Sequence, residues 1–151
     1  MSKASDVAAA FAARLATISV ANGFATDIGN NVLRGKPNIY HSDDDSDLPC
    51  IILAEAEDRV EDQKPRTGLV KLAQRYVFEG HDLCNPDHPN DKAHLILADL
   101  KRAIFGQSFG DMLYELRYVG RAIGARPDGA AIVASSIEVE AVYSEVRPLL
   151  D

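Results

Sequence analysis

Residues 69–81 read LVKLAQRYVFEGH, and the alternation in this stretch decides the fold class. Val70, Leu72, Tyr76 and Phe78 fall on one side of an extended chain, while Lys71, Arg75 and Glu79 fall on the other. Successive side chains of a strand point to opposite faces, so this strand has one buried face and one wet face, as antiparallel sheets permit. The pattern returns in residues 131–146, where Val133, Ile137, Val139 and Tyr143 oppose Ser136, Glu138, Glu140 and Ser144. Residues 113–123 read as the strand before it. Arg126-Pro127-Asp128-Gly129 joins the two, with the second-position proline and fourth-position glycine of a type I turn.

Upstream, residues 48–54 (LPCIILA) are apolar on both faces, which predicts a central strand. The charged run 58–66, which contains Pro65, reads as the tip of a long hairpin. Two segments carry the helical period instead. In residues 5–18, Val7, Phe11, Leu15 and Ile18 form one stripe, with Ser5 as the cap and Asn22-Gly23 as the stop. A second helix runs from Pro89-Asn90 to Gly106 on a stripe of Ala93, Leu97, Leu100 and Ile104, with Lys101 and Arg102 suited to its negative end. Between helix one and the apolar strand, Phe24, Thr26 and Ile28 alternate with Ala25 and Asp27. This predicts a strand kinked at Gly29-Asn30-Asn31 that resumes over Val32–Arg34. The order is helix, three strands, helix, two strands. It predicts an α+β fold, a mainly antiparallel sheet of about four to five strands with two helices packed on one face. A single domain spans residues 1–151.

Composition narrows the function classes. Apolar residues make up 46% of the 151, enough for an ordinary core, so wholesale disorder is excluded. The net charge of −7, without a basic patch, argues against nucleic-acid binding, since like charge repels the phosphate backbone. Cys50 and Cys84 are too few for a disulfide framework, no signal peptide is read, and a reducing cytoplasm is the default compartment. The longest apolar run is far too short to span a bilayer.

Four kinds of chemical motif bear on function. Gly29 to Pro37 (GNNVLRGKP) imitates a phosphate loop, but five residues rather than four separate its glycines, and Pro37 replaces the hydroxyl residue that would hold Mg²⁺. Asp43, Asp44, Asp45 and Asp47 imitate a Ca²⁺ loop, but Leu48 and Ala54 stand where the loop needs glycine and glutamate. His81-x-x-Cys84-x-x-x-His88, with His94 beyond, holds good zinc ligands without the paired Cys-x-x-Cys half of a structural site. No G-x-S-x-G elbow or G-x-G-x-x-G loop occurs; Ser135-Ser136 falls inside a strand, and Cys50 reads as a small core residue. The expectation is therefore no catalytic residue, no cofactor and no metal. A small metal-binding module or enzyme built on His81, Cys84 and His88 is the alternative of another class.

Ala21-Asn22-Gly23-Phe24-Ala25-Thr26-Asp27-Ile28-Gly29, followed by Val32-x-Arg34-Gly35, resembles the N-terminal signature of phage tail terminator proteins, the minor tail or tail-completion proteins of long-tailed bacteriophages. Leu48-Pro49-x-Ile51-Ile52-Leu53 resembles the second strand of that family, and the later elements follow in its order. The aspartate-rich loop and the His/Cys loop lie outside the pattern. The resemblance implies a structural virion protein. It would cap the tail tube as a homohexameric ring, stop tube polymerisation and form the head-docking interface. Its implied partners are other copies of itself, the tail tube protein and a head-completion or neck protein. Genomic DNA would pass through the ring without specific binding, and no membrane is involved. The implied location is the head-proximal end of the tail, after assembly in the host cytoplasm. Another head–tail connector or neck protein is the second reading.

Overall fold

The computed structural model describes residues 2–35, 48–124 and 131–147. The aspartate-rich segment 43–47 and the turn 126–129 lie outside the described residues. The elements are α1 (Lys3–Leu15), β1 (Val32–Arg34), β2 (Cys50–Lys64), β3 (Leu69–Leu83), α2 (Pro89–Phe105), β4 (Glu115–Ile123) and β5 (Ile132–Val146). They form one five-stranded sheet in the order β1-β2-β3-β5-β4. Every neighbouring pair is antiparallel except β1 with β2, which is parallel. The chain is thus an α+β fold, as its alternation predicts.

The strand at residues 69–81 is the spine of the sheet. It runs in unbroken register against β5, from Leu69↔Val146 to Leu83↔Ile132. Its even-numbered residues face both helices. Phe11 of α1 packs its ring 4.8 Å from Tyr76 and 5.2 Å from Phe78. A Cβ built on Gly80 would lie 2.5 Å from Ile96 of α2, so the absence of a side chain there lets the helix lie close to the sheet. Ser135 of β5 hydrogen-bonds across to α2, its hydroxyl donating to the Ala93 carbonyl. Val7, Phe11, Leu15 and Ile18 are all fully buried, as their spacing requires.

Three expectations are corrected. The cap of α1 is Ser2, whose hydroxyl accepts from the Ser5 amide; α1 ends at Leu15, and Ile18 packs from the following turn. Phe24 to Ile28 is not a strand. It lies between short 3₁₀ turns at Val20–Asn22 and Ile28–Asn30; its Ala25 and Thr26 amides bond to a side chain of α2, and its Phe24 amide to the Ser19 carbonyl, rather than to a neighbouring strand. The alternation is real there, because Thr26 and Ile28 are buried, but an irregular segment inserted under a helix produces it as well as a strand does. Residues 58–64 belong to β2 itself, so the hairpin arm is longer than its charge pattern predicts and turns only at residues 65–68. Over residues 51–53, β2 is an interior strand, paired with β3 on one side and with β1 on the other, as its two apolar faces predict. β1 flanks only Ile51–Leu53, and from Ala54 onward the outer edge of β2 has no partner strand among the described residues.

Two buried tyrosines link this core to pH. Burial raises the phenol pKa of Tyr76 well above its usual value, and burial with the nearby charges of Glu145, Asp58 and Glu55 pushes Tyr143 up to about 12. A raised folded-state pKa means stability is intact below the unfolded value of about 10 and declines as pH rises through the folded value. Denaturant midpoints are therefore expected to hold from neutral pH to about 10 and to fall between about 10 and 12. Tyr143→Phe should flatten part of that fall; an unchanged alkaline slope would remove the phenol from the account.

Candidate functional site

The signature-like segment is held by hydrogen bonds. Asn22 donates from its side-chain amide to the Thr17 carbonyl at 2.8 Å. Gly23 then adopts φ +87°, a left-handed conformation that favours glycine. Its carbonyl accepts from Arg102 of α2 at 2.8 Å, and the same guanidinium lies 4.4 Å from the centre of the Phe24 ring. Asp99, buried on α2, accepts from the Ala25 amide (3.1 Å), the Thr26 amide (2.8 Å) and the Thr26 hydroxyl (2.7 Å). Asp27 accepts from the Val20 amide at 2.8 Å. The polar groups of this segment thus brace the chain against α2, with no catalytic arrangement among these contacts. The Gly29 likeness to a phosphate loop dissolves as well: Gly29 is buried in a 3₁₀ turn against α1, and Val32–Arg34 is a strand.

The face of the sheet opposite the helices carries a charge ladder. Arg75 of β3, Glu140 of β5 and Arg117 of β4 stand in register across three neighbouring strands. Glu140 is only 8% exposed, with guanidinium nitrogens of Arg59, Arg117 and Arg75 at 3.5, 3.7 and 4.0 Å. Three cations around one nearly buried carboxylate supply the compensation that a buried charge needs. Arg117 also reaches Glu61 of β2 at 2.7 Å and Glu115 at 3.0 Å. In a flat sheet, β2 and β4 would be separated by about 14 Å, three strand spacings. The ion pair shows that the sheet curls and brings the β2 arm over this face. Two register shifts in β2, at Glu55/Asp58 and Val60/Asp62, fit that curl, because a bulge bends its strand and increases its twist. Arg117, and then Arg59, hold the Glu61 carboxyl below its usual pKa. Both side chains of the Glu61–Arg117 pair keep access to solvent, about a quarter and a third of their surface respectively, so the pair shapes the arm more than it stabilises the chain.

The sheet ends in two unlike edges. β4 pairs with β5 on one side, and among the described residues nothing pairs with its other side. Around it stand the exposed side chains of Tyr114, Tyr118, Val119 and Ile123. The opposite edge is the outer side of the β2 arm, where every residue from Glu57 to Lys64 is exposed.

The His/Cys constellation is dispersed. His81 is buried within β3, with Nε2 at 2.6 Å from Glu79. Cys84 follows the end of that strand and is half-buried. His88 caps α2, and His94 is exposed on it. Among the described residues, no three His, Cys, Asp or Glu side chains gather closely enough to hold a metal ion. Cys50 is fully buried in β2, as a core residue would be. No helix among the described residues is long and apolar enough to cross a membrane. Sequence reasoning missed Asp99 and the Glu140 cluster. Asp99 had a readable signal, an acid spaced three residues after Ile96 and four before Ala103 on the buried side of α2. No protein-family model matches the chain, and no curated protein matches its sequence.

Proposed function

We propose that this chain is a structural, non-catalytic virion protein: a tail terminator that closes as a homohexameric ring on the finished tail tube. There it stops tube polymerisation and offers the surface that docks to the head. The observation that carries this reading is a pair of unlike sheet edges that nothing among the described residues covers, β4 at one end and the β2 arm at the other. Open edges invite pairing with another chain. Two different surfaces that join head to tail generate either a closed ring or a filament, and a protein that ends a tube must close. The signature resemblance at Ala21–Gly29 supplies the biological setting, and the acidic chain suits a conduit through which DNA passes without sticking.

The test is light scattering and negative-stain imaging of the pure protein at rising concentration, alone and with tail tubes. Rings with a central hole, free or seated on tube ends, are the expected result. A protein that stays monomeric and never appears at a tube end overturns the terminator reading. Rings that bind heads but not tubes would favour a connector or neck protein, and stoichiometric zinc in elemental analysis would favour the metal-binding module.

A further inference from the structure

We infer that the joint between copies is a continuous sheet, in which the outer edge of β4 on one protomer pairs with the outer edge of the β2 arm on the next. This inference names the contact surfaces and rests on the ring-forming reading above.

The backbone is prepared for it on β4. The Gly124 amide donates to the Ala134 carbonyl of β5 at 2.7 Å. Amides alternate in direction along a strand, so Ala122 also turns inward, while Arg121 and Ile123 turn their N–H groups toward the open side. On β2, the Ile51 amide already donates outward to the Asn31 carbonyl, and the Leu53 carbonyl accepts outward from the Gly35 amide. The outer edge of this strand is thus used for pairing where β1 is present, and beyond it nothing among the described residues pairs with it.

Charge selects this partner over a copy of the same edge. The arm from Glu55 to Lys64 holds five acids (Glu55, Glu57, Asp58, Glu61, Asp62) against Arg59 and Lys64. β4 holds Arg117 and Arg121 against Glu115, and Lys101 of α2 sits beside it, 4.9 Å from the centre of the Tyr118 ring. Two arms would repel, whereas arm and β4 attract. The faces also agree. Arg121 stands opposite Ile137 and Asp58 opposite Gln74, which places both side chains on the helix-bearing face of their sheets. When the two sheets become one, Arg121 meets Asp58 and Glu55 on the same side. Like-charge mismatch suppresses wrong pairings in such an interface more than the matched charges add affinity.

The experiment is a charge-swap cycle read by sedimentation and imaging, with circular dichroism melts to establish folding. Asp58→Lys with Glu55→Lys, and separately Arg121→Glu, are each expected to raise the concentration for half-assembly by about tenfold or more. A chain carrying all three changes has reversed charge on both sides of every joint, and it is expected to assemble within about threefold of the parent. Arg121→Pro removes one outward N–H without touching the β4–β5 ladder and is expected to stay folded but fail to assemble. If rings form and these folded variants assemble like the parent, or the combined chain recovers nothing, the edge joint is wrong while the ring reading stands. If the parent forms no ring alone or on tubes, both are overturned.

Discussion

Asp99→Ala is expected to lower the melting temperature by about 10 °C, the largest loss from any single polar side chain in the molecule. Asp99 is only 4% exposed and satisfies three donors, two backbone amides and one hydroxyl, on Ala25 and Thr26. Thr26 is itself buried, so water does not readily replace the lost acceptor. Each buried donor left without a partner costs about 1–3 kcal/mol, and bonds to a charged acceptor stand at the upper end of net hydrogen-bond contributions. A total of about 3–5 kcal/mol follows, at about 2–4 °C per kcal/mol for a domain of this size. Asp99→Asn is expected to fall between the two. Its carbonyl oxygen still accepts from Thr26, but its amide group meets the Ala25 N–H donor to donor. If Asp99→Ala melts within about 3 °C of the parent, the segment 21–29 is not held by this carboxylate.

The parts of this fold legible in the sequence are those fixed by one periodic face. The β3 alternation needed no knowledge of partners, because a strand with one buried face repeats every two residues whatever lies beside it. The helix stripes were legible for the same reason. What escaped was set by contacts between distant segments. Phe24, Thr26 and Ile28 alternate like a strand, yet the Ala25 and Thr26 amides bond to Asp99, more than seventy residues away. Arg59, Glu61, Arg75, Arg117 and Glu140 come from four strands, and only the curl of the sheet brings them together. Charge between residues 58 and 64 read as a loop because exposure on both faces is the usual mark of one. Here it marks a strand exposed along its length, whose outer edge pairs with nothing among the described residues. The proposed joint uses that edge, so the stretch least legible as structure is the one the ring reading depends on most.

Gly29→Ala tests the other end of the same segment and is expected to cost about 3 kcal/mol or more, beyond the usual range for adding one methyl group to a packed site. A Cβ at Gly29 would stand 2.4 Å from the Leu15 carbonyl oxygen, 2.5 Å from that of Ile18 and 2.8 Å from the Ile18 nitrogen. All three are backbone atoms, so no rotamer change relieves the contact. The Gly29 amide also donates to the Ile18 carbonyl at 2.9 Å, and moving the chain away stretches that bond. The strain would therefore pass into the exit from α1, where Leu15 and Ile18 are both fully buried. Gly120→Ala is the matched control, because a Cβ there meets nothing within 4 Å. Urea midpoints for the two variants should differ by at least about 1 M, given a slope of about 1–3 kcal/mol/M. Equal midpoints would mean that the turn after α1 has room for a side chain, and that the close approach of Gly29 to α1 does not set the entry of the chain into β1. A large difference would tie the glycine at the end of the signature-like segment to a steric cause within the protomer.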